Sequence, residues 1–251
     1  MRAYALALAA FTLSAMMLAA DQRGSTSLTT PRRDLSGIWL GAPAPTLEPF
    51  APMTPKGQAL FDEARPIWGP RAVAVAESND PLVTCDPLGM PRAVLNETRG
   101  IQFIPGPDKI VQLLQYQRVF REIWTDGRPL PADVGGASPQ SPDPRRYGYS
   151  IGRWVDDDTF VVETTGATET MWGDQYGHPH GLTGRIEERY RRVGAGLELV
   201  VTIDDPEMYQ QPFVAMRQRL KRGTTMDEQL CVPSEALTYL ETIAKPAVRG
   251  K

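Results

Sequence analysis

An all-β fold, an antiparallel barrel of about eight or nine strands with short peripheral helices and a Pro-rich wrap, is predicted by three observations. Hydrophobic runs of strand length recur at regular spacing from Gly100 onward. The 22 Gly and 23 Pro punctuate those runs instead of gathering in a low-complexity tract, which suits many strands and turns. Leu197, Leu199, Val201 and Ile203 alternate with Glu198, Val200 and Thr202 in strict period two, the mark of a half-buried strand. Eight or nine such strands suffice to close a barrel around one small ligand.

Taken in order, residues 1–20 carry Arg2 and then an almost unbroken apolar run from Ala3 to Ala20, with small residues at Ala19 and Ala20, and read as a secretory signal peptide. An uncleaved anchor is the alternative, since about 18 apolar residues just span a bilayer. Residues 21–33 are polar and read as a disordered arm, and 34–251 as a single barrel domain. The first strand enters through Gly37 toward Trp39 and Leu40, and residues 41–55 form an extended Pro-rich wrap. Thr54, followed by Pro55, marks a helix start, as N-cap and first helical residue. Residues 65–99 read as an ordered cap pinned by Cys85. Strands are predicted over 100–104, 109–116 and 118–124, and a Pro-rich loop over 129–145 is a candidate lid. A hairpin follows, 147–155 and 159–165 across Asp156-Asp157-Asp158, then a loop with the chain's two histidines and a strand ending at Arg192. Strands at 197–203 and 213–220 and a closing helix at 235–243 complete the chain.

Composition excludes some classes. A net charge of −3 without basic runs gives no phosphate-tracking surface, so nucleic acid is not an expected partner. Export sets the reading of Cys85 and Cys231: an even pair in an oxidising compartment favours a disulfide, with two buried thiols or a nucleophilic cysteine as alternatives. The expected location is periplasmic or secreted, with no stable membrane insertion after signal cleavage. Gly-rich phosphate loops, Gly-x-Ser-x-Gly elbows and His-Glu-x-x-His motifs do not occur, which argues against the commonest NTPases, α/β hydrolases and zincins.

Gly37-Ile38-Trp39 resembles the signature of lipocalins and the wider calycins, in which the Trp plugs one end of the barrel. The segments Cys85 to Arg92, Arg121 to Arg128, Tyr147 to Trp154, Gly177 to His180, Glu188 to Arg192 and Thr202 to Pro206 together resemble a family of exported bacterial proteins common in acidobacteria and proteobacteria. The resemblance implies export and implies no particular activity.

The candidate site centres on the loop Trp172 to Gly181. His178 and His180 stand two apart, so on extended backbone both rings project to one side and can meet one substrate or one metal ion. A metal is not the favoured reading, because the spacing matches no metal motif and Pro179 favours a turn; no cofactor is expected. Asp174 is placed to orient an imidazole. On the next strand Ile186, Glu188, Tyr190 and Arg192 share one face, so Glu188 either points into the barrel against a cation, with Arg121, Arg217 and Arg219 as candidates, or joins a surface ladder of ion pairs. Tyr149 is a candidate proton donor in an aromatic-lined pocket. These residues support a protein that binds a small, mostly apolar molecule. An acid–base enzyme on the same scaffold, a lyase, isomerase or hydrolase, is the alternative, with His180 as base or acid, His178 or Asp174 orienting it and Arg121 or Glu188 meeting developing charge. An envelope-associated interaction protein without a pocket is a third reading. The oligomeric state is not legible.

Overall fold

The computed structural model describes residues 33–41, 47–95 and 100–249. The expected leader and the arm up to residue 32 lie outside the described residues. Nine strands run in chain order around a closed barrel: β1 (Gly37–Leu40), β2 (Ile101–Pro105), β3 (Lys109–Leu114), β4 (Val119–Trp124), β5 (Tyr149–Trp154), β6 (Thr159–Thr165), β7 (Arg185–Val193), β8 (Gly196–Asp204) and β9 (Phe213–Gly223). The all-β prediction and the strand count hold, and most boundaries fall within two residues of those expected.

One pairing departs from an antiparallel meander. β4 and β5 run parallel, matched only at Ile123 with Ser150 and Trp124 with Ile151. The cause is the connection. Residues 125–148 are long enough to carry the chain back to the end where β4 began, which a tight hairpin cannot do. Every other neighbour is antiparallel, and β1 closes the ring by pairing with both β2 and β9.

Alternation sets the inside. On β8, Leu197, Leu199, Val201 and Ile203 are buried, and on β7 so are Ile186, Glu188 and Tyr190. These join Trp39, Phe103, Ile123, Phe160 and Met216 in one core. A bulge between Val201 and Thr202 turns both Ala215 and Met216 inward on β9. Gly37 is required where it stands: its φ is +98°, and a Cβ there would meet the Arg222 guanidinium at 2.8 Å. That guanidinium lies 4.8 Å from the Trp39 ring, whose Nε1 donates to Leu35 O. The arrangement is consistent with the calycin-like barrel that the Gly-x-Trp tripeptide suggests.

Helix α1 (Pro55–Glu63) starts as expected, with Thr54 Oγ1 accepting from Gly57 N and Pro55 at the first position. The cap that follows holds two 3₁₀ turns, Val75–Glu77 and Pro81–Thr84, and the short helix α2 (Arg92–Leu95). Asp80 both caps the second turn, accepting from Leu82 N, and takes two 2.7 Å hydrogen bonds from Arg92, with both side chains fully buried. Cys85 is disulfide-bonded to Cys231, Cα atoms 5.4 Å apart, which ties the cap to the C-terminal helices α3 (Pro233–Tyr239) and α4 (Lys245–Arg249) and the π-helical turn between them. No helix among the described residues is long and apolar enough to cross a membrane.

Candidate functional site

The expected site residues fall into two clusters and two isolated rings. The first cluster lies in the barrel lumen. Arg121 on β4 and Glu188 on β7 point inward and meet in a two-pronged pair, Nη2 to Oε1 at 2.6 Å and to Oε2 at 2.7 Å. Tyr190 OH donates to Glu188 Oε2 at 2.6 Å, Gln112 Nε2 donates to Tyr190 OH at 3.0 Å, and Arg121 Nε donates to Gln112 Oε1 at 2.6 Å. The ring of bonds therefore closes on itself. Arg121 Nη1 adds longer contacts to Ser150 Oγ and Thr164 Oγ1, at 3.4 and 3.3 Å. Burial and the adjacent Glu188 charge hold the Tyr190 phenol well above its ordinary pKa, so it stays a neutral donor. Arg217 and Arg219, the other cations considered for Glu188, lie outside the barrel beside Glu48 and Glu198.

The second cluster lies outside the barrel, in the loop between β6 and β7. Asp174 is fully buried. Its Oδ1 accepts from Tyr176 N at 2.8 Å and His178 N at 3.1 Å, an Asx turn that bends the chain, and its Oδ2 lies 2.7 Å from His178 Nδ1. Gly177 allows the turn: its φ is +88°, and a Cβ there would strike the Ala64 methyl at 2.5 Å. Tyr209 OH donates to Pro179 O, and Gly181 N donates to Asp205 Oδ2, which anchors the loop to the segment between β8 and β9.

Because a carboxylate accepts, His178 Nδ1 donates to Asp174 Oδ2 and the second ring nitrogen, Nε2, is left over from the pair. The Phe50 ring stacks on the imidazole at 3.8 Å and the Phe61 ring at 4.8 Å, so both faces are covered. What remains open is the edge bearing Nε2, which has no hydrogen-bond partner among the described residues. His178 forms part of the wall of a cup of about 310 Å³ completed by Phe61, Pro66, Trp68, Pro70, Arg71 and Tyr176. Arg71 lies 3.9 Å from the Phe61 ring and donates to Phe61 O and Ala64 O, which fixes the end of α1 against the cup.

His180 is buried apart from both clusters. Burial pushes its pKa down to about 4, against the opposing pull of backbone groups at Gly181 and Met171, and its Nε2 has no hydrogen-bond partner. The structure thus gives Asp174 to His178 and places the His180 ring within packed loop. Tyr149 sits on another wall of the molecule, donating to Asp143 O at 2.8 Å under the Arg145 guanidinium. The Pro-rich stretch after β4 lies there too, with Pro129, Leu130 and Pro131 lining a cleft at the β4/β5 seam, while the cup is walled by the wrap that follows α1. Among the described residues, no three His, Cys, Asp or Glu side chains gather as metal ligands would.

Sequence reasoning missed Phe50, Phe61 and Trp68, which come from segments far from the loop, and Gln112, whose place on the inward face of β3 was visible in the alternation. The class that fold and geometry define is a closed nine-stranded β-barrel with a hydrogen-bonded polar cluster in its lumen and an external Asp–His pair. Neither a family model nor a curated protein matches the chain.

Proposed function

We propose that the protein is an exported barrel that binds a small, mostly apolar molecule, and that the molecule sits in the aromatic cup beside His178. The observation that carries this reading is the cup itself: flat apolar walls, one of them an imidazole ring whose orientation is fixed by a buried carboxylate. Ligand sites are apolar hollows with a few placed polar groups, and a volume of about 310 Å³ lies at the small end of their range. The lumen suits the role less well, because its inward side chains pack against one another and Arg121, Glu188, Tyr190 and Gln112 bond to each other. Export into an oxidising compartment is supported by the Cys85–Cys231 bond, and likeness to exported bacterial proteins by the segments quoted above.

The test is calorimetric titration with 2-naphthol and naphthalene. Both should bind, 2-naphthol the more tightly because its hydroxyl meets His178 Nε2. His178→Ala should remove that preference and Trp68→Ala should weaken both; equal binding to all three proteins defeats the proposal.

The same pair favours a second reading, acid–base catalysis with His178 as proton acceptor and Asp174 orienting it. Turnover of a candidate substrate abolished by His178→Ala and reduced by Asp174→Asn, with binding kept in the latter, would support it.

A further inference from the structure

The seam between β4 and β5, with two matched pairs, is the thinnest ladder among the described residues. β4 pairs with β3 over its whole length, yet Val119 to Glu122 have no partner on β5. A cleft of about 320 Å³ opens there, between the free edge of β4 and residues 145–151. We propose that this cleft is a second binding site, separate from the aromatic cup, for a small organic anion with a planar apolar body, an aromatic carboxylate in class.

Charge is the first argument. Arg121, Arg128, Arg145 and Arg146 line the cleft, against a single carboxylate, Glu122, which is itself paired with Lys109. The four cations are not equally engaged. Arg121 is held by Glu188 and Arg128 by Asp126. Arg146 reaches Asp86 only at 3.9 Å, its other nitrogen lying against Met171 Sδ. Arg145 has no carboxylate partner among the described residues, and its guanidinium lies 4.2 Å from the centre of the Tyr149 ring. A guanidinium laid on a ring keeps its in-plane N–H fork available, which is the geometry that grips a carboxylate.

The floor is the second argument. Arg121 and Ser150 bottom the cleft and are both buried. The contacts of Arg121 Nη1 to Ser150 Oγ and Thr164 Oγ1 are longer than good hydrogen bonds, so that nitrogen, which takes no part in the pair with Glu188, has capacity to spare. The walls are the third. Trp124, carrying Arg128 at 3.5 Å, lines the same cleft as Tyr147 and Tyr149, which gives a planar ligand aromatic walls. Burial pushes the Tyr147 phenol up to about 12, so it stays uncharged and adds no repulsion toward an anion.

The experiment titrates the whole protein with 2-naphthoate and its neutral counterpart 2-naphthamide by calorimetry at low salt. The acid should bind at least tenfold more tightly than the amide. The double variant Arg145→Gln/Arg146→Gln should lose at least tenfold toward the acid and change little toward the amide; Arg145→Lys, which keeps the charge and loses the fork, should fall between. Both arginines have solvent-exposed surface, and an unchanged unfolding midpoint will show that the variants fold. Equal affinity for acid and amide, full binding by the double variant, or no binding at millimolar acid overturns the proposal. So does loss of acid binding in Trp68→Ala, which would put the anion in the cup. Because the cup is tested with neutral probes and its own variants, either site can fail without the other.

Discussion

The lumen and the loop each hold a carboxylate paired with a basic side chain, and the two pairs are finished differently. Around Glu188 the carboxylate and its partners Arg121, Tyr190 and Gln112 form a closed circuit within the barrel. Around Asp174 the circuit is left open at one atom, since His178 gives Nδ1 to the carboxylate and keeps Nε2 without a hydrogen-bond partner among the described residues, on a ring that walls a cup. A closed circuit in a dry interior fixes a fold. An open one on a rigid frame can act on something else.

The largest effect should come from breaking the closed circuit. Glu188→Ala leaves Arg121 charged and unpaired in the lumen and is expected to cost about 3–5 kcal/mol, read by urea unfolding. A stable Glu188→Ala protein would erase the distinction between the regions. Reducing the Cys85–Cys231 bond should lower stability by about 2–5 kcal/mol, through the long loop it closes in the unfolded chain.

His180 sharpens the comparison through pH. Its folded pKa, about 4, lies below the 6.5 of a free imidazole because burial disfavours the cation. Between those values the unfolded chain binds a proton that the folded one refuses, so the stabilisation present above pH 6.5 is lost as pH falls toward 4. The loss should reach about 3 kcal/mol. A His180→Phe protein should show a shallower fall over that window in unfolding curves taken at a series of pH values; parallel curves would contradict the burial argument.

Smaller effects separate the clusters more finely. Tyr190→Phe removes one donor to Glu188 and should cost about 1–3 kcal/mol. His178→Ala, on a loop outside the barrel, should change stability least and alter ligand preference most.

Much of this was written in the sequence as alternation. Period two put Ile186, Glu188 and Tyr190 on one face of β7, and the need of a buried carboxylate for a cation pointed to three arginines, of which the barrel selects Arg121. Strand pairing across the ring made that selection, and no local pattern carries it. Likewise the two-residue spacing of His178 and His180 suggested a shared direction, which holds only on extended backbone. The Asx turn at Asp174 and the positive φ of Gly177 curl the chain instead, so one ring meets the cup and the other is buried. The Phe50 and Phe61 stacks come from segments more than a hundred residues away, and only the closed fold brings them to the loop.

The position of β1 carries a further meaning for how the barrel assembles in time. Its two edges belong to β2, which follows it by some sixty residues, and to β9, which ends at Gly223. During synthesis the strand made first must therefore wait for the strand made last. Until β9 arrives, one edge of β1 and one of β8 have no neighbour, and unpaired edges invite pairing with other chains. The Cys85–Cys231 bond obeys the same order, because Cys231 lies beyond β9. It acts as a seal on a ring already shut, and the chain is best kept unfolded until its full length is free.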